Sequence, residues 1–77
     1  MKSNALQTAT IVIQGMVDEA SVRSILSALN FIRGVGKVKV SLMERVAEIE
    51  FDPRKVHVAQ LHTAIRAVGF GSPAASV

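Results

Sequence analysis

Alternation of apolar and polar positions predicts three strands in this chain. They cover residues 8–14, 37–42 and 46–51, since side chains on a half-buried strand repeat with a period of two. A turn at residues 43–45 joins the last two strands into a hairpin, and its register stays open because this turn lacks the usual glycine. The apolar positions that carry the alternation are Ile11, Ile13, Val38, Val40, Leu42, Ala47, Ile49 and Phe51.

Apolar residues at helical spacing predict two helices between the strands. We expect the first helix to start at Asp18, which is a good N-cap residue, and to end at Arg33 and Gly34, with the glycine in a left-handed C-cap. The second helix covers residues 58–68. The predicted buried positions are Val22, Ile25, Ala28, Leu29 and Ile32 in the first helix, and Val58, Leu61, Ile65 and Val68 in the second.

The order of these elements predicts an α+β fold. With a short edge strand starting at Phe70, the order is βαββαβ, that of a ferredoxin-like sandwich with a four-stranded antiparallel sheet and two helices on one face. This topology brings the first loop, the hairpin turn and the Phe70 corner to one end, and the loop after the third strand to the other. We expect a domain over 8–71, a flexible N-terminus at 1–7 and a flexible tail or linker at 72–77.

Composition narrows the possible functions. The chain has 77 residues, which suffices for a single domain, and no cysteine, which excludes disulfides and thiolate metal sites. Its net charge of +3 is spread over scattered Lys and Arg residues, so we expect neither nucleic-acid binding nor direct membrane insertion. No secretory signal or long apolar stretch is visible, and a cytoplasmic location is the expectation.

A set of glycines, prolines and apolar positions resembles the heavy-metal-associated domain, the family of copper chaperones, mercury-binding proteins and N-terminal domains of metal-transporting P-type ATPases. The resemblance covers about residues 8–70. It rests on Gly15-Met16, on Val22, Ile25, Ala28-Leu29, Ile32 and Gly34-Val35, on Phe51-Asp52-Pro53, and on Ala64-Ile65 and Gly69-Phe70.

The resemblance implies a metal-binding Gly-Met-x-Cys-x-x-Cys loop, and here the sequence departs from the family. Gly15 and Met16 match, but Asp18 and Ser21 stand where the family has its two cysteines. Soft ions such as Cu(I) and Hg(II) prefer thiolates to carboxylate and hydroxyl oxygens. Asp18 has a simpler interpretation as the N-cap of the first helix, with the Ser21 hydroxyl reaching back towards it.

The metal alternative remains open in one form. Asp18 and Ser21 stand at the family ligand positions and, together with Glu19, offer oxygen ligands for a borderline divalent ion. We expect no cofactor other than such a weakly bound divalent metal. His57 and His62 are five residues apart, which does not place two ligands on one face of a helix, so joint metal ligation by them is not expected.

The sequence shows no catalytic arrangement, and we do not expect an enzyme. The first hypothesis is a degenerate heavy-metal-associated domain that acts in metal transport or homeostasis as an interaction or regulatory module. The second is an oxygen-ligand metal carrier, and the third a small-molecule-sensing domain of the same fold. The implied protein partner is a metal-transporting ATPase or downstream domains of the same protein. The expected docking residues are Met16, Val17, Asp18, Glu19, Leu26 and Phe70.

Overall fold

The computed structural model describes residues 6–71 and shows an α+β fold with two helices and an antiparallel sheet. Residues 1–5 and 72–77, which fall within the predicted N-terminal segment and the predicted tail, lie outside the described residues. The elements in chain order are β1 (Gln7–Val12), α1 (Glu19–Asn30), β2 (Val35–Ser41), β3 (Val46–Phe51) and α2 (Val58–Ala67).

The sheet has the strand order β1-β3-β2, so β3 is its central strand. Ala47 of β3 lies opposite Ile11 of β1 on one side and Val40 of β2 on the other. The register also places Lys39 opposite Glu48, and both side chains are exposed. The sequence left the register of the hairpin open, and the structure pairs Ser41 with Val46.

The predicted fourth strand is not present among residues 6–71, and the sheet there has three strands. Gly71 forms a single antiparallel bridge with Gln14, in which each backbone N–H donates to the carbonyl oxygen of the other residue at 2.9 Å. One bridge does not make a ladder of strand pairs. Phe70, where we expected this strand to begin, packs half-buried against the core instead.

One cluster of buried apolar side chains joins the sheet to both helices, which therefore cover the same face as predicted. Leu61 and Ile65 of α2 are fully buried, but Val58 is 42% and Val68 39% exposed, so their predicted burial is wrong. Both valines lie at the ends of α2, at its first residue and its C-cap. The core cluster consists of Ile11, Ile13, Met16, Ile25, Leu29, Ala47, Ile49, Phe51, Val56, Leu61 and Ile65.

Helix α1 ends earlier than the sequence predicts. Its last residue is Asn30 and its C-cap is Phe31, which has right-handed helical dihedral angles. Gly34 does adopt a left-handed conformation, with φ +96, but it does so in the turn that leads into β2. A Cβ atom on Gly34 would lie 2.6 Å from Val56 Cγ2 and 2.8 Å from Lys55 Cβ. The glycine is therefore required by the turn and by the close approach of the loop 52–57, not by a helix C-cap.

Candidate functional site

The loop between β1 and α1, residues 13–18, lies at the end of the fold where the sequence predicts the site. Ile13 donates a backbone hydrogen bond of 2.8 Å to the carbonyl of Arg45, which lies in the turn between β2 and β3. A Cβ atom on Gly15 would lie 3.5 Å from Cδ1 of Phe70. The β1–α1 loop, the β2–β3 turn and the Phe70 corner therefore meet at one end, as the topology predicts.

Asp18 caps helix α1, as expected from the sequence. Its backbone is extended, and its Oδ1 atom accepts a hydrogen bond of 2.9 Å from the backbone N–H of Ser21. The Ser21 hydroxyl donates to the same oxygen, also at 2.9 Å, and accepts a longer bond of 3.5 Å from the Val17 N–H. The two family ligand positions are thus bonded to each other and to the start of the helix.

These hydrogen bonds also favour the charged form of the Asp18 carboxyl. The backbone N–H of Ser21 contributes most to lowering the pKa of the Asp18 carboxyl, followed by the Ser21 hydroxyl. Arg23, one turn further along α1, contributes in the same direction by charge attraction. Asp18 is therefore an anion at neutral pH, beside the exposed Glu19 of the first helical turn.

The ligand atoms that this loop offers do not suit a soft metal ion. The chain contains no cysteine. The loop offers the Asp18 carboxylate, whose Oδ1 already accepts two hydrogen bonds, and the Ser21 hydroxyl, which donates one of these two bonds. Cu(I) and Hg(II) prefer sulfur ligands. Within residues 6–71, no three His, Asp or Glu side chains lie close enough together to hold a metal ion. The arrangement is that of a helix cap.

The expected docking residues differ in exposure. Val17 is 78% exposed, and Asp18 and Glu19 are exposed beside it. Met16 is only 2% exposed and belongs to the core cluster, which corrects its expected place on the docking surface. Its side chain packs beneath the loop, as an unbranched thioether side chain does in core gaps.

Leu26 and Phe70 are only partly exposed. Leu26 is half-buried, although it is one of the expected docking residues. It lies one turn after Val22, which packs against the core, so both side chains occupy the same flank of α1. Phe70 is also half-buried against the core. Of the six expected docking residues, Val17, Asp18 and Glu19 are therefore the exposed ones.

The two histidines differ in exposure. His57 is the exposed N-cap of α2, whereas His62 is buried with 3% exposure. His62 follows the buried Leu61 on the helix, and its burial reflects the width of the face that α2 turns to the core.

Sequence reasoning missed a juxtaposition at the opposite end of the fold. The backbone N–H of Asp52 donates a 2.8 Å hydrogen bond to the Gly34 carbonyl, which joins the turn after α1 to the loop 52–57. A Cβ atom on Gly34, the residue after Arg33, would lie 2.8 Å from Cβ of Lys55. The signal was the topology itself, because the end of the first helix and the end of the third strand meet in a βαββαβ fold.

Neither helix in the described part of the chain has the length and apolar content that crossing a membrane requires.

The heavy-metal-associated domain model matches residues 10–71 of the chain. Copper-transporting ATPase 2 of Rattus norvegicus is 31% identical over 64 residues, which represent 83% of this chain and 4% of the ATPase. The chain therefore spans only a small part of the length of that relative.

Solved structures similar to this fold include those of MerP and CopZ. Oxidized MerP from Ralstonia metallidurans CH34 is 34% identical, with a TM-score of 0.84, and the match covers 88% of this chain and 94% of MerP. The CopZ metallochaperone is 29% identical, with a TM-score of 0.84, and the match covers 86% of this chain and 98% of CopZ.

Proposed function

The chain belongs to the heavy-metal-associated domain family, and we propose on this premise that it acts in metal transport or homeostasis through contact with another protein, without a soft-metal site of its own. Domains of this family are typically non-catalytic metal-binding modules, and the proposal includes no catalytic step. It assigns the β1–α1 loop a structural role and its exposed side chains a role in recognition.

The hydrogen bonding between Asp18 and Ser21 carries this proposal. In the family these two positions hold the metal ligands, but here one carboxylate oxygen accepts both the backbone N–H and the hydroxyl of Ser21, each at 2.9 Å. A metal ion that took Oδ1 of Asp18 and the Ser21 hydroxyl as ligands would compete with these hydrogen bonds, one of which satisfies the Ser21 N–H at the start of α1. It would gain only hard oxygen ligands in return.

We propose as partner a metal-transporting ATPase or downstream domains of the same protein. Support comes from the relatives, since one is named a copper-transporting ATPase and another a metallochaperone. The contact surface would be centred on Val17, Asp18 and Glu19, which are exposed at the loop, with Leu26 and Phe70 at its margin.

A metal titration with a matched pair of variants tests the absence of a soft-metal site. Cu(I) is added in the presence of a competing chelator to the wild type, to Asp18→Cys/Ser21→Cys, and to Ser24→Cys/Ser27→Cys. The last variant places two thiols at the same spacing on the exposed part of α1. We expect no binding by the wild type, tight equimolar binding by the loop variant, and weaker binding by the helix variant.

The oxygen-ligand alternative is tested by a second titration. Zn(II), Ni(II) and Co(II) are titrated into the wild type while amide chemical shifts are recorded. Saturable shifts confined to residues 15–22 and 69–70 at micromolar metal would support a carrier with oxygen ligands and contradict our proposal. Saturable Cu(I) binding by the wild type would contradict it as well.

The docking part of the proposal has its own test. An N-terminal domain of a copper-transporting ATPase is titrated into the isotope-labelled chain, and Val17→Glu is compared with Val58→Glu. Both valines are exposed, but Val58 is the first residue of α2, at the end of the fold opposite the loop. We expect Val17→Glu to weaken the interaction and Val58→Glu to leave it unchanged. Equal effects of the two variants would contradict a surface centred on the loop.

A further inference from the structure

The end of the fold opposite the β1–α1 loop carries a second candidate surface. It is built from the turn 31–34, which follows α1, and the loop 52–57, which precedes α2. The Asp52 N–H donates to the Gly34 carbonyl at 2.8 Å, and a Cβ atom on Gly34 would approach both Lys55 and Val56 within 3 Å. These two segments are therefore packed into one surface that does not depend on residues of the β1–α1 loop.

Positive charge accumulates on this surface. Arg33, Arg54 and Lys55 are all exposed there, and the Arg54 side chain is 75% accessible to solvent. The Asp52 side chain is 11% exposed and accepts hydrogen bonds of 3.1 Å from both Nε and Nη2 of Arg54. Its charge offsets that of Arg54, so the net positive charge of the surface comes from Arg33 and Lys55, which are both exposed.

The turn 31–34 also carries an exposed aromatic side chain, two residues before Arg33. Phe31, the C-cap of α1, is 91% exposed. Single exposed apolar residues are common on protein surfaces, but an almost fully exposed phenylalanine between the end of a helix and Arg33 combines the aromatic and arginine side chains that interfaces favour. We call Phe31, Arg33, Arg54 and Lys55 together the basic end surface.

We propose that the basic end surface binds an acidic segment of a partner protein, in which Asp or Glu side chains face Arg33 and Lys55 and one apolar side chain covers Phe31. Complementarity of charge is the reason, since opposite potentials steer and align protein contacts. A second copy of the chain is disfavoured as occupant because each copy carries a net charge of +3.

Two other anionic partners fit less well. Nucleic-acid binding relies on many phosphate contacts and, for single strands, on several aromatic platforms, whereas Phe51 is buried and Phe70 half-buried, which leaves only Phe31 exposed among the aromatic side chains of residues 6–71. Anionic membranes are recognised by clusters of about four to eight Lys or Arg residues. A short acidic peptide matches the smaller charge of this surface.

The test uses a synthetic peptide of glutamates with one central leucine, titrated into the isotope-labelled full chain at low salt. We expect saturable amide shifts confined to residues 31–35 and 53–57, and weaker binding at higher salt because the charges are exposed. Arg33→Ala/Lys55→Ala should weaken binding about tenfold, and Phe31→Ser should remove the preference for the leucine peptide over one with serine at that position.

The matched control is Lys39→Ala/Arg66→Ala, which removes the same charge from exposed positions of β2 and α2. Equal loss of affinity in both double variants, or shifts spread over all basic residues, would overturn the proposal. So would tighter binding of single-stranded DNA or anionic vesicles at the same residues, or self-association of the chain through Phe31 in sedimentation. Metal binding at the β1–α1 loop affects none of these results. A failure of this test would therefore not count against the proposed function, and a failure of the proposed function would not count against this surface.

Discussion

Oδ1 of Asp18 accepts two hydrogen bonds from Ser21, one from its backbone N–H and one from its hydroxyl, and both are 2.9 Å long. The first satisfies an N–H group at the start of α1, where the helix itself provides no acceptor. The second holds the Ser21 hydroxyl in place to accept from Val17. The side chains of Asp18 and Ser21 therefore tie the loop to the first turn of α1.

Removal of this cap should destabilise the domain. We expect Asp18→Ala to lower the melting temperature by about 5 °C, because the first turn of α1 loses its side-chain acceptor. Asp18→Asn, which keeps an oxygen at that place, should have a smaller effect. Thermal unfolding followed by circular dichroism measures both. Glu19→Ala is the control, and a loss as large as that of Asp18→Ala would indicate that charge near the helix start matters more than the cap.

Acidification should destabilise the protein through Asp52 and Asp18. Hydrogen bonds from the Arg54 side chain, and then from its backbone N–H, lower the pKa of Asp52 below the ordinary value of 3.8. The pKa of Asp18 is lowered as well. Because each folded-state pKa lies below its unfolded value, the unfolded state binds more protons, and the stabilisation present above about pH 4 is lost as the pH falls through the folded-state pKa.

Urea unfolding at a series of pH values measures this dependence. We expect Asp52→Asn to be less stable than the wild type at neutral pH, and the difference in the free energy of unfolding to shrink as the pH falls below about 4. Glu48→Gln removes a carboxylate from the exposed face of the sheet and is the charge-matched control. A difference for Asp52→Asn that stays constant down to the lowest pH would show that the pairing with Arg54 does not stabilise the fold.

The sequence was sufficient for the elements whose periodicity is long and regular. Ala47, Ile49 and Phe51 alternate inward as predicted, because a half-buried strand fixes one face for every second residue. Asp18 was predictable as a cap because its role depends on residues only three positions away.

Features that depend on distant contacts were not predictable in the same way. Gly34 looked like a helix C-cap, but its conformation serves a turn that Lys55 and Val56 approach from another part of the chain. Met16 was among the expected docking residues, yet it is 2% exposed, because its side chain fills space beneath the loop that only the packed fold provides. Gly71 forms one bridge with Gln14 where a strand was expected, and a propensity for strand does not decide how many pairs form.

Two glycines with similar backbone angles allow strain and packing to be separated. Gly34 and Gly69 have φ of +96 and +98, but a Cβ atom would meet Val56 and Lys55 only at Gly34, and nothing within 4 Å at Gly69. We expect Gly69→Ala to cost about 1–2 kcal/mol from backbone strain alone, and Gly34→Ala about 2–4 kcal/mol because overpacking is added. Equal losses in urea unfolding would mean that the 52–57 loop yields without cost.

Leu29 and Phe31 are close in sequence and should behave in opposite ways when shortened. Leu29 is fully buried in the core cluster, so Leu29→Ala should lower the free energy of unfolding by about 2–5 kcal/mol. Phe31 is 91% exposed, and Phe31→Ser should change it by less than about 0.5 kcal/mol. Chemical unfolding of both variants at neutral pH checks this. A marked destabilisation by Phe31→Ser would place its ring against the fold, and it would then not be free to contact a partner. Unchanged stability would mean that the ring makes no contact that the fold depends on, so that it is free to contact a partner.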